Sequence, residues 1–434
     1  MADSSQPGSP GLESGSALTS TSGTKPVEAE AQAGARTLML VMATAGFAIN
    51  FWAWALLSPL APAFKESLGL SHFQQAMVVA VPVIVGSVGR IPVGALTDRY
   101  GGRLMFPAVS LLTIIPVMYL GLLGQDSLAS LLIGGFFLGI GGTAFAIGIP
   151  FVNGWFPPER RGFALGLFGV GMGGTAIAAL TTVNVAKAWG DWAPFAMTAL
   201  ALLVYSVLAA VLLREPLGHT PSSGSLSKRL AATMKLRVTW YAAALYAVVF
   251  GGYVAFSVYL VAYLETAYGL ARADAAFRMA GFVVVAVALR PVGGWLSDRM
   301  GPGRVLIAVF FVVAVCATVQ AFTPSLMPVG TVAFLTMAGA LGAGCGATFC
   351  LVAVLSPEGK VGAVSGFVGA AGGLGGFVPP LIMGATYGIF GTFAIGLGLL
   401  VAVAVGLAIF TMTKVRRALA EHSVGVGIPA AGTS

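Results

Sequence analysis

Twelve stretches of apolar residues, each of roughly 20 residues or more, leave this chain few folds to choose from, because that is the length a helix needs to cross a hydrocarbon core about 30 Å thick. At that depth no water satisfies the backbone, so each stretch must close its hydrogen bonds internally, as a helix. The runs lie near residues 37–64, 73–97, 104–123, 128–156, 162–186 and 194–213, then 238–266, 275–297, 304–322, 327–355, 361–386 and 391–413. Composition agrees with lipid as the solvent: 57% of residues are hydrophobic and 9% charged, against about 25% charged in an ordinary soluble domain. The sequence predicts an all-α membrane protein of twelve transmembrane helices, and an even number of crossings puts both termini on one side.

Charge decides which side, because Lys and Arg accumulate in short cytoplasmic loops. With the termini inside, Arg36, Arg99, Arg103, Arg160, Arg161, Arg214, Lys228, Arg229, Lys235, Arg237, Arg299, Arg304, Lys360, Lys414, Arg416 and Arg417 fall on the cytoplasmic face. Lys65, Lys187, Arg272 and Arg278 fall outside. The formal net charge of +8 is then a consequence of topology, which points to acidic membrane lipid as a partner and away from nucleic acid. Residues 1–35 are a Ser/Gly/Pro/Ala-rich stretch that cannot bury a core and is expected to be a disordered cytoplasmic tail. That tail has neither the basic start nor the short apolar stretch of a cleavable signal. The expected organisation continues with a six-helix bundle at 36–213, a basic cytoplasmic linker at 214–237, a second six-helix bundle at 238–413 and a cytoplasmic tail at 414–434. Cys316, Cys345 and Cys350 each fall inside an apolar run, at a spacing that fits neither a metal site nor a redox pair, and read as small hydrophobes.

The two halves are copies. Arg90-Ile-Pro-Val-Gly-Ala-Leu-Thr-Asp98-Arg99-Tyr-Gly101-Gly-Arg103 has a counterpart in Arg290-Pro-Val-Gly-Gly-Trp-Leu-Ser-Asp298-Arg299-Met-Gly301-Pro-Gly-Arg304, with Arg90, Asp98, Arg99 and Gly101 recurring 200 positions later. The same offset of 200 carries Pro157, Gly162, Gly166, Gly169 and Gly173 onto Pro357, Gly362, Gly366, Gly369 and Gly373. Duplicated bundles of this kind place a substrate site at mid-membrane between the halves and alternate access by rocking. Asp98, Arg99 and Arg103, with Asp298, Arg299 and Arg304, put an acid at a helix end beside basic residues, where charge-assisted contacts can hold the cytoplasmic end closed and must break when it opens. The plainer alternative is that these charges anchor loops. Gly166, Gly169 and Gly173, and again Gly366, Gly369 and Gly373, form a stripe on one face of the fifth and eleventh helices, either a close helix contact or a surface that slides.

Once the loop charges are assigned, Arg90 and Arg290 remain well inside predicted spans. Each precedes the Asp of its motif by eight residues, about 12 Å at ~1.5 Å per residue, which is close to the bilayer midplane. An arginine there costs ~2.5–3.5 kcal/mol on insertion scales, so its presence calls for a reason. The usual one is a carboxylate on a neighbouring helix. Here every acid falls at a membrane face or in the tail: Asp98, Glu159, Glu215, Asp298, Glu358 and Glu421 on the cytoplasmic side, Glu66, Asp126, Asp191, Glu265 and Asp274 on the outer side. Two guanidiniums without an internal counterion make a site that lacks negative charge, which an incoming anion can supply; the alternative is a structural arginine satisfied by backbone carbonyls. The planar, permanently charged fork of donors suits nitrate, nitrite or a carboxylate better than a halide.

At these residues the chain resembles the nitrate/nitrite porter family of the major facilitator superfamily. The resemblance rests on Asn50-Phe-Trp-Ala-Trp-Ala-Leu-Leu-Ser-Pro in the first span, the pair Arg90 and Arg290, Phe156-Pro-Pro-Glu-Arg-Arg-Gly-Phe-Ala-Leu-Gly166, and the glycine-rich run at 361–380, and it covers residues 37–415. It implies the major facilitator fold as two pseudo-symmetric six-helix bundles, transport of nitrate or nitrite with no cofactor and no metal, and a monomer in the bacterial cytoplasmic membrane. It also implies that the anion lies between the two arginines, walled by Tyr246 and Phe250 of the seventh helix and Phe145 of the fourth. Many members carry an Asn in the fifth-helix glycine signature, in contact with substrate. This chain reads Gly169-Val-Gly171-Met172-Gly173-Gly174-Thr175 there, which leaves Thr175, Thr181 and Thr182 as the hydroxyls that could take its place.

Proton-coupled carriers keep an Asp, Glu or His in the pathway, and none falls between Arg90 and either surface on the predicted helices, which suits nitrate/nitrite exchange. The Asn50-Phe-Trp opening resembles members thought to be proton symporters, so both modes stay open. A porter for formate or oxalate and an anion receptor that does not transport are the alternatives. An enzyme is not expected, for want of a nucleophile with its base, a metal-ligand cluster or a phosphate loop.

Overall fold

The computed structural model describes residues 24–216, 231–357 and 360–425. The chain divides into two compact units, Met1–Leu38 and Met39–Ser434. Of the first, the described part is helical from Thr24. The predicted disordered tail to residue 35 is therefore too long, because Glu28-Ala-Glu-Ala-Gln-Ala33 is built from strong helix formers; residues 1–23 lie outside the described residues. So does most of the predicted linker, 217–230. The predicted C-terminal tail is helical as far as Gly425, and its remainder is likewise outside.

Among the described residues twelve helices are long and apolar enough to span a membrane: α1 (Gly34–Leu68), α2 (His72–Tyr100), α3 (Gly102–Leu122), α4 (Leu128–Trp155), α5 (Ala164–Trp189), α6 (Ala193–Leu212), α7 (Arg237–Tyr268), α8 (Arg272–Met300), α9 (Pro302–Ala321), α10 (Leu326–Leu355), α11 (Ala363–Phe390) and α12 (Ala394–His422). They form two six-helix bundles, α1–α6 and α7–α12. The internal repeat appears in the backbone as well as in the sequence. α2 and α8 begin and end 200 residues apart, and Gly69 and Gly269 take left-handed φ of 62° and 64°, as Gly101 and Gly301 take 80° and 83°. Each of these glycines ends a helix at a φ that a side chain resists.

Several spans are interrupted where the sequence demands it. α2 breaks at Gly89, three residues before Pro92, whose missing N–H cannot continue the ladder. α4 and α5 tighten to 3-10 geometry over Gly139–Thr143 and Gly169–Gly173, each with three glycines. α11 turns at Gly376-Phe377, just before Pro379 and Pro380. These breaks all lie near mid-span, and non-helical backbone at such depth is tolerated only where it is buried in protein or lines a cavity.

Burial sorts the helices. In its most apolar stretch α7 is 78% buried and α12 only 22%, so α7 lies at the centre and α12 at the rim. Leu111, Leu112 and Ile115 of α3, Val207 and Val211 of α6 and Phe311 of α9 are exposed, an apolar belt that lipid covers. Of the largest fully buried side chains, Phe47 and Phe51 come from α1, Phe168 from α5, and Tyr246, Phe250, Tyr253 and Tyr263 from α7.

Candidate functional site

Arg90 opens the second segment of α2 and Arg290 sits inside α8; both are buried, at 5% and 7% exposure. Arg90 donates through Nε to the Gly142 carbonyl of α4 at 3.3 Å and through Nη1 to the Gly369 carbonyl of α11 at 2.7 Å. The Gly142 carbonyl lies within the 3-10 stretch of α4. The Arg90 guanidinium carbon lies 5.0 Å from the centre of the Phe145 ring and 5.4 Å from that of Phe250, rings that stack on each other at 6.3 Å and 23°. Cation and aromatic faces at these distances attract.

Arg290 donates through Nη2 to the Tyr246 hydroxyl at 3.5 Å, and its Nη1 lies against the Met172 sulfur of α5. Its guanidinium carbon is 5.8 Å from the Phe349 ring centre. Tyr246 stacks on Phe250 at 4.9 Å and 4° and meets Phe349 edge-on at 5.0 Å. A continuous aromatic wall, Phe145–Phe250–Tyr246–Phe349, thus runs from one arginine to the other. The fold brings Arg90, Arg290, Tyr246, Phe250 and Phe145 together.

Each arginine also reaches across to the glycine signature of the opposite bundle. Arg90 bonds the Gly369 carbonyl, and a methyl added at Gly373 would come within 3.2 Å of its Nη1. The mirror contact is Gly169, where an added methyl would lie 3.1 Å from Nη1 of Arg290. Gly166, Gly173 and Gly366, by contrast, face open space. The stripe is therefore mixed: Gly373 packs against Ser87 of α2 and Gly369 against the Phe145 ring, Gly169 and Gly373 also make room for the arginines, and the rest is open. Backbone-on-backbone packing falls to the glycines one position off the stripe, such as Gly174 against the backbone of Ala48 and Gly375 against that of Ala247.

Among the described residues no carboxylate pairs with either guanidinium. Ion pairs lie instead at the membrane ends: Arg272 with Glu66 at 3.2 Å and with Glu265 at 3.3 Å, and Arg278 with Asp274 at 3.1 Å, where α8 starts, and Arg417 with Glu421 at 2.9 Å at the end of α12. At the α8 start His72 also meets Tyr387, ring centres 4.5 Å apart, and a cavity lined by Lys65, Glu66, Gln75, Glu265 and Arg272 opens. The duplicated loop motif stands at the opposite end. Arg99 lies 5.3 Å over Tyr100, Arg299 4.0 Å over Trp295, and Asp298 takes a weak contact from the Cys350 thiol at 3.8 Å. The Arg103 backbone N–H donates to Glu215 at 2.6 Å, which puts a carboxylate on the N-terminus of α3.

Sequence reasoning did not mark Met172, Phe349 or Tyr253. Tyr253 was legible as the third member of an aromatic row spaced four and three residues apart with Tyr246 and Phe250, one face of a helix. Met172 and Phe349 carried no signal, because their role depends on which helices meet. Of the three threonines considered, Thr175 bonds Tyr253, Thr181 bonds the Ile177 carbonyl of its own helix, and Thr182 is buried with its hydroxyl unpartnered. No hydrogen bond runs from any of the three to an arginine among the described residues.

A sequence profile of the Major Facilitator Superfamily matches residues 43–380 and, in an overlapping match, 242–427. Over 386 residues the chain is 44% identical to the "Probable nitrate/nitrite transporter NarK2" of Mycobacterium tuberculosis (strain ATCC 25618 / H37Rv), spanning 88% of this chain and 98% of that protein. It is 36% identical over 359 residues to the "Nitrite extrusion protein" of Bacillus subtilis (strain 168), spanning 83% and 89%. Among solved structures, a bacterial homolog of the human lysosomal transporter Spinster, in an inward-facing and occupied conformation, superposes with a TM-score of 0.70 at 19% identity, covering 89% of this chain and 98% of that one. The last likeness speaks to the fold alone.

Proposed function

This chain belongs to the nitrate/nitrite porter family of the major facilitator superfamily, and on that premise we propose that it carries nitrate and nitrite across the membrane by alternating access around Arg90 and Arg290, as a nitrate/nitrite antiporter or with a proton. One observation carries the reading: two buried guanidiniums, one from each bundle, that among the described residues meet no carboxylate. Carbonyl and thioether contacts leave their positive charge uncancelled. An arriving anion cancels it, and the coplanar oxygens of nitrate match the edge of a guanidinium. Tyr246 adds a hydroxyl beside Arg290, while Phe145 and Phe250 keep water from Arg90.

Because each arginine lies against the glycine signature of the opposite bundle, an anion held between them draws the bundles 36–213 and 238–413 together. Two bare cations resist that approach, so the loaded carrier crosses and the empty one is held back. Both termini and the linker are cytoplasmic in a bacterial inner membrane. The loops carrying Asp98, Arg99 and Arg103, and Asp298, Arg299 and Arg304, then close the cytoplasmic end. The protein acts as a monomer among acidic lipids, binds no nucleic acid, needs no cofactor and leaves the anion chemically unchanged.

The test is uptake of labelled nitrate into proteoliposomes. Uptake confined to nitrite- or nitrate-loaded vesicles means antiport, and uptake into empty vesicles driven by external acid means symport. Formate or oxalate competing better than nitrite would make it a carboxylate porter, and binding without flux would make it a receptor. Arg90→Lys, which keeps the charge and loses the fork, is expected to reduce uptake to background while the protein stays in the membrane; wild-type uptake by that variant counts against a bidentate site.

A further inference from the structure

Tyr253 lies on α7 two helical turns beyond Tyr246, about 10 Å nearer the Arg272 end at 1.5 Å per residue. It is wholly buried. Its hydroxyl is 3.1 Å from the Thr175 hydroxyl and 3.1 Å from the Met172 carbonyl, and Thr175 reaches that same carbonyl at 3.1 Å. Two hydroxyl protons make two of these three contacts hydrogen bonds at a time, and in every arrangement the Tyr253 hydroxyl is bonded to α5, through Thr175 or through the Met172 carbonyl. The contact joins the two bundles, since α7 belongs to one and α5 to the other. Met172, whose carbonyl it holds, is the residue whose sulfur lies against Arg290.

Further toward the same end the bundles touch twice more through polar groups. Ser58 of α1 donates to the Val258 carbonyl of α7 at 2.6 Å, and Glu66 pairs with Arg272 at the rim. The Tyr253–Thr175 contact is therefore the innermost of these three cross-bundle contacts and, through Met172, the one next to Arg290. It is also neutral, so neither half strands a charge in the membrane when the contact parts.

We propose that Tyr253 and Thr175 form the inner latch of the Arg272 end. The pair holds that end shut over the arginine site and must part each time the site opens there. It positions Met172 against Arg290 in the closed state and does not itself touch the anion. The inference rests on alternating access but not on the identity of the anion.

The experiment uses the full-length chain with Cys316→Ala and Cys350→Ala. Cys345 then remains as reporter, the repeat counterpart of Phe145, wholly buried beside Tyr246 and Arg290. A membrane-impermeant methanethiosulfonate is applied without nitrate to intact cells and, separately, to inside-out vesicles. Tyr253→Phe keeps the ring and removes the hydroxyl; Thr175→Val keeps the shape and removes its partner. Tyr253→Phe is expected to raise modification from the Arg272 end about fivefold, the shift that one net hydrogen bond produces in a two-state equilibrium, and to lower it from the other end; Thr175→Val, which leaves Tyr253 the Met172 carbonyl, is expected to raise it less. The double variant is expected to add nothing to Tyr253→Phe. An unchanged rate, including no modification at all, overturns the latch, and a rise from both ends means loosened packing and overturns it too. Protection of Cys345 by added nitrate is a separate readout, which fails alone if the anion is misassigned and leaves the latch result standing.

Discussion

The two arginines combine the readings that the sequence held as alternatives. Arg90 is satisfied by carbonyls, from Gly142 and Gly369, yet neither carbonyl neutralises it. A guanidinium can do both because its donors point along separate edges: one edge is spent on the fold and another is left for a ligand. Arg290 is held more loosely, by a hydroxyl at 3.5 Å and a thioether. Tyr246 is therefore the group whose removal is most informative at this scale. Tyr246→Phe preserves the stack on Phe250 and deletes the acceptor beside Arg290. A hydrogen bond to a charged group is worth ~1.5–3 kcal/mol, and at this length the lower bound applies, so the nitrate KM is expected to rise roughly tenfold with little change in maximal rate. Initial-rate exchange in proteoliposomes measures it. An unchanged KM would mean that the hydroxyl only fills space.

Among the elements, the glycine-rich segments show what a sequence pattern can and cannot tell. The steps of four and three residues fix a helix face, and that face is real, but its neighbours are set by helices elsewhere in the chain. The on-stripe Gly366 faces open space, whereas the off-stripe Gly375 touches the backbone of Ala247. Gly375→Ala should therefore cost about 1–3 kcal/mol by overpacking against backbone that cannot yield. It should lower the melting midpoint in detergent by several degrees, with Gly366→Ala close to wild type. Equal effects would restore the stripe as the packing surface. The spans themselves were legible to within a few residues because apolar length and the punctuation of Gly, Pro and Asp-Arg are local properties. The end of α12 was missed by nine residues, at His422 instead of 413, because Lys414, Arg416 and Arg417 read as a loop when a helix can carry them into the interface. The arginine pair was legible because charge in an apolar run is conspicuous; Tyr246, Phe250 and Phe145 came from the family resemblance, and Phe349 went unmarked. The Tyr253–Thr175 bond was not, since nothing in either segment says that they face each other.

For the whole molecule, the question is where the closed Arg272 end is held, and magnitudes bear on it. The rim pair Glu66–Arg272 crosses between bundles, but the Glu66 side chain is 76% exposed, and exposed ion pairs contribute about 0–1 kcal/mol and fade with salt. Glu265 is only 16% exposed, but it reaches Arg272 from α7, within the same bundle, so its bond does not resist separation. Glu66→Gln should thus raise modification of Cys345 from the Arg272 end by at most about fivefold at low ionic strength, and by nothing measurable in ~0.5 M potassium gluconate. Glu265→Gln should leave it unchanged. A simple charge exchange, Glu66→Arg with Arg272→Glu, should restore closure only in part, because the new carboxylate at 272 then stands beside Glu265. If Glu66→Gln instead exceeded Tyr253→Phe in effect, or kept its effect in high salt, the rim would be the principal closure. The buried hydroxyl pair would then be a consequence of the closed state and not its fastening.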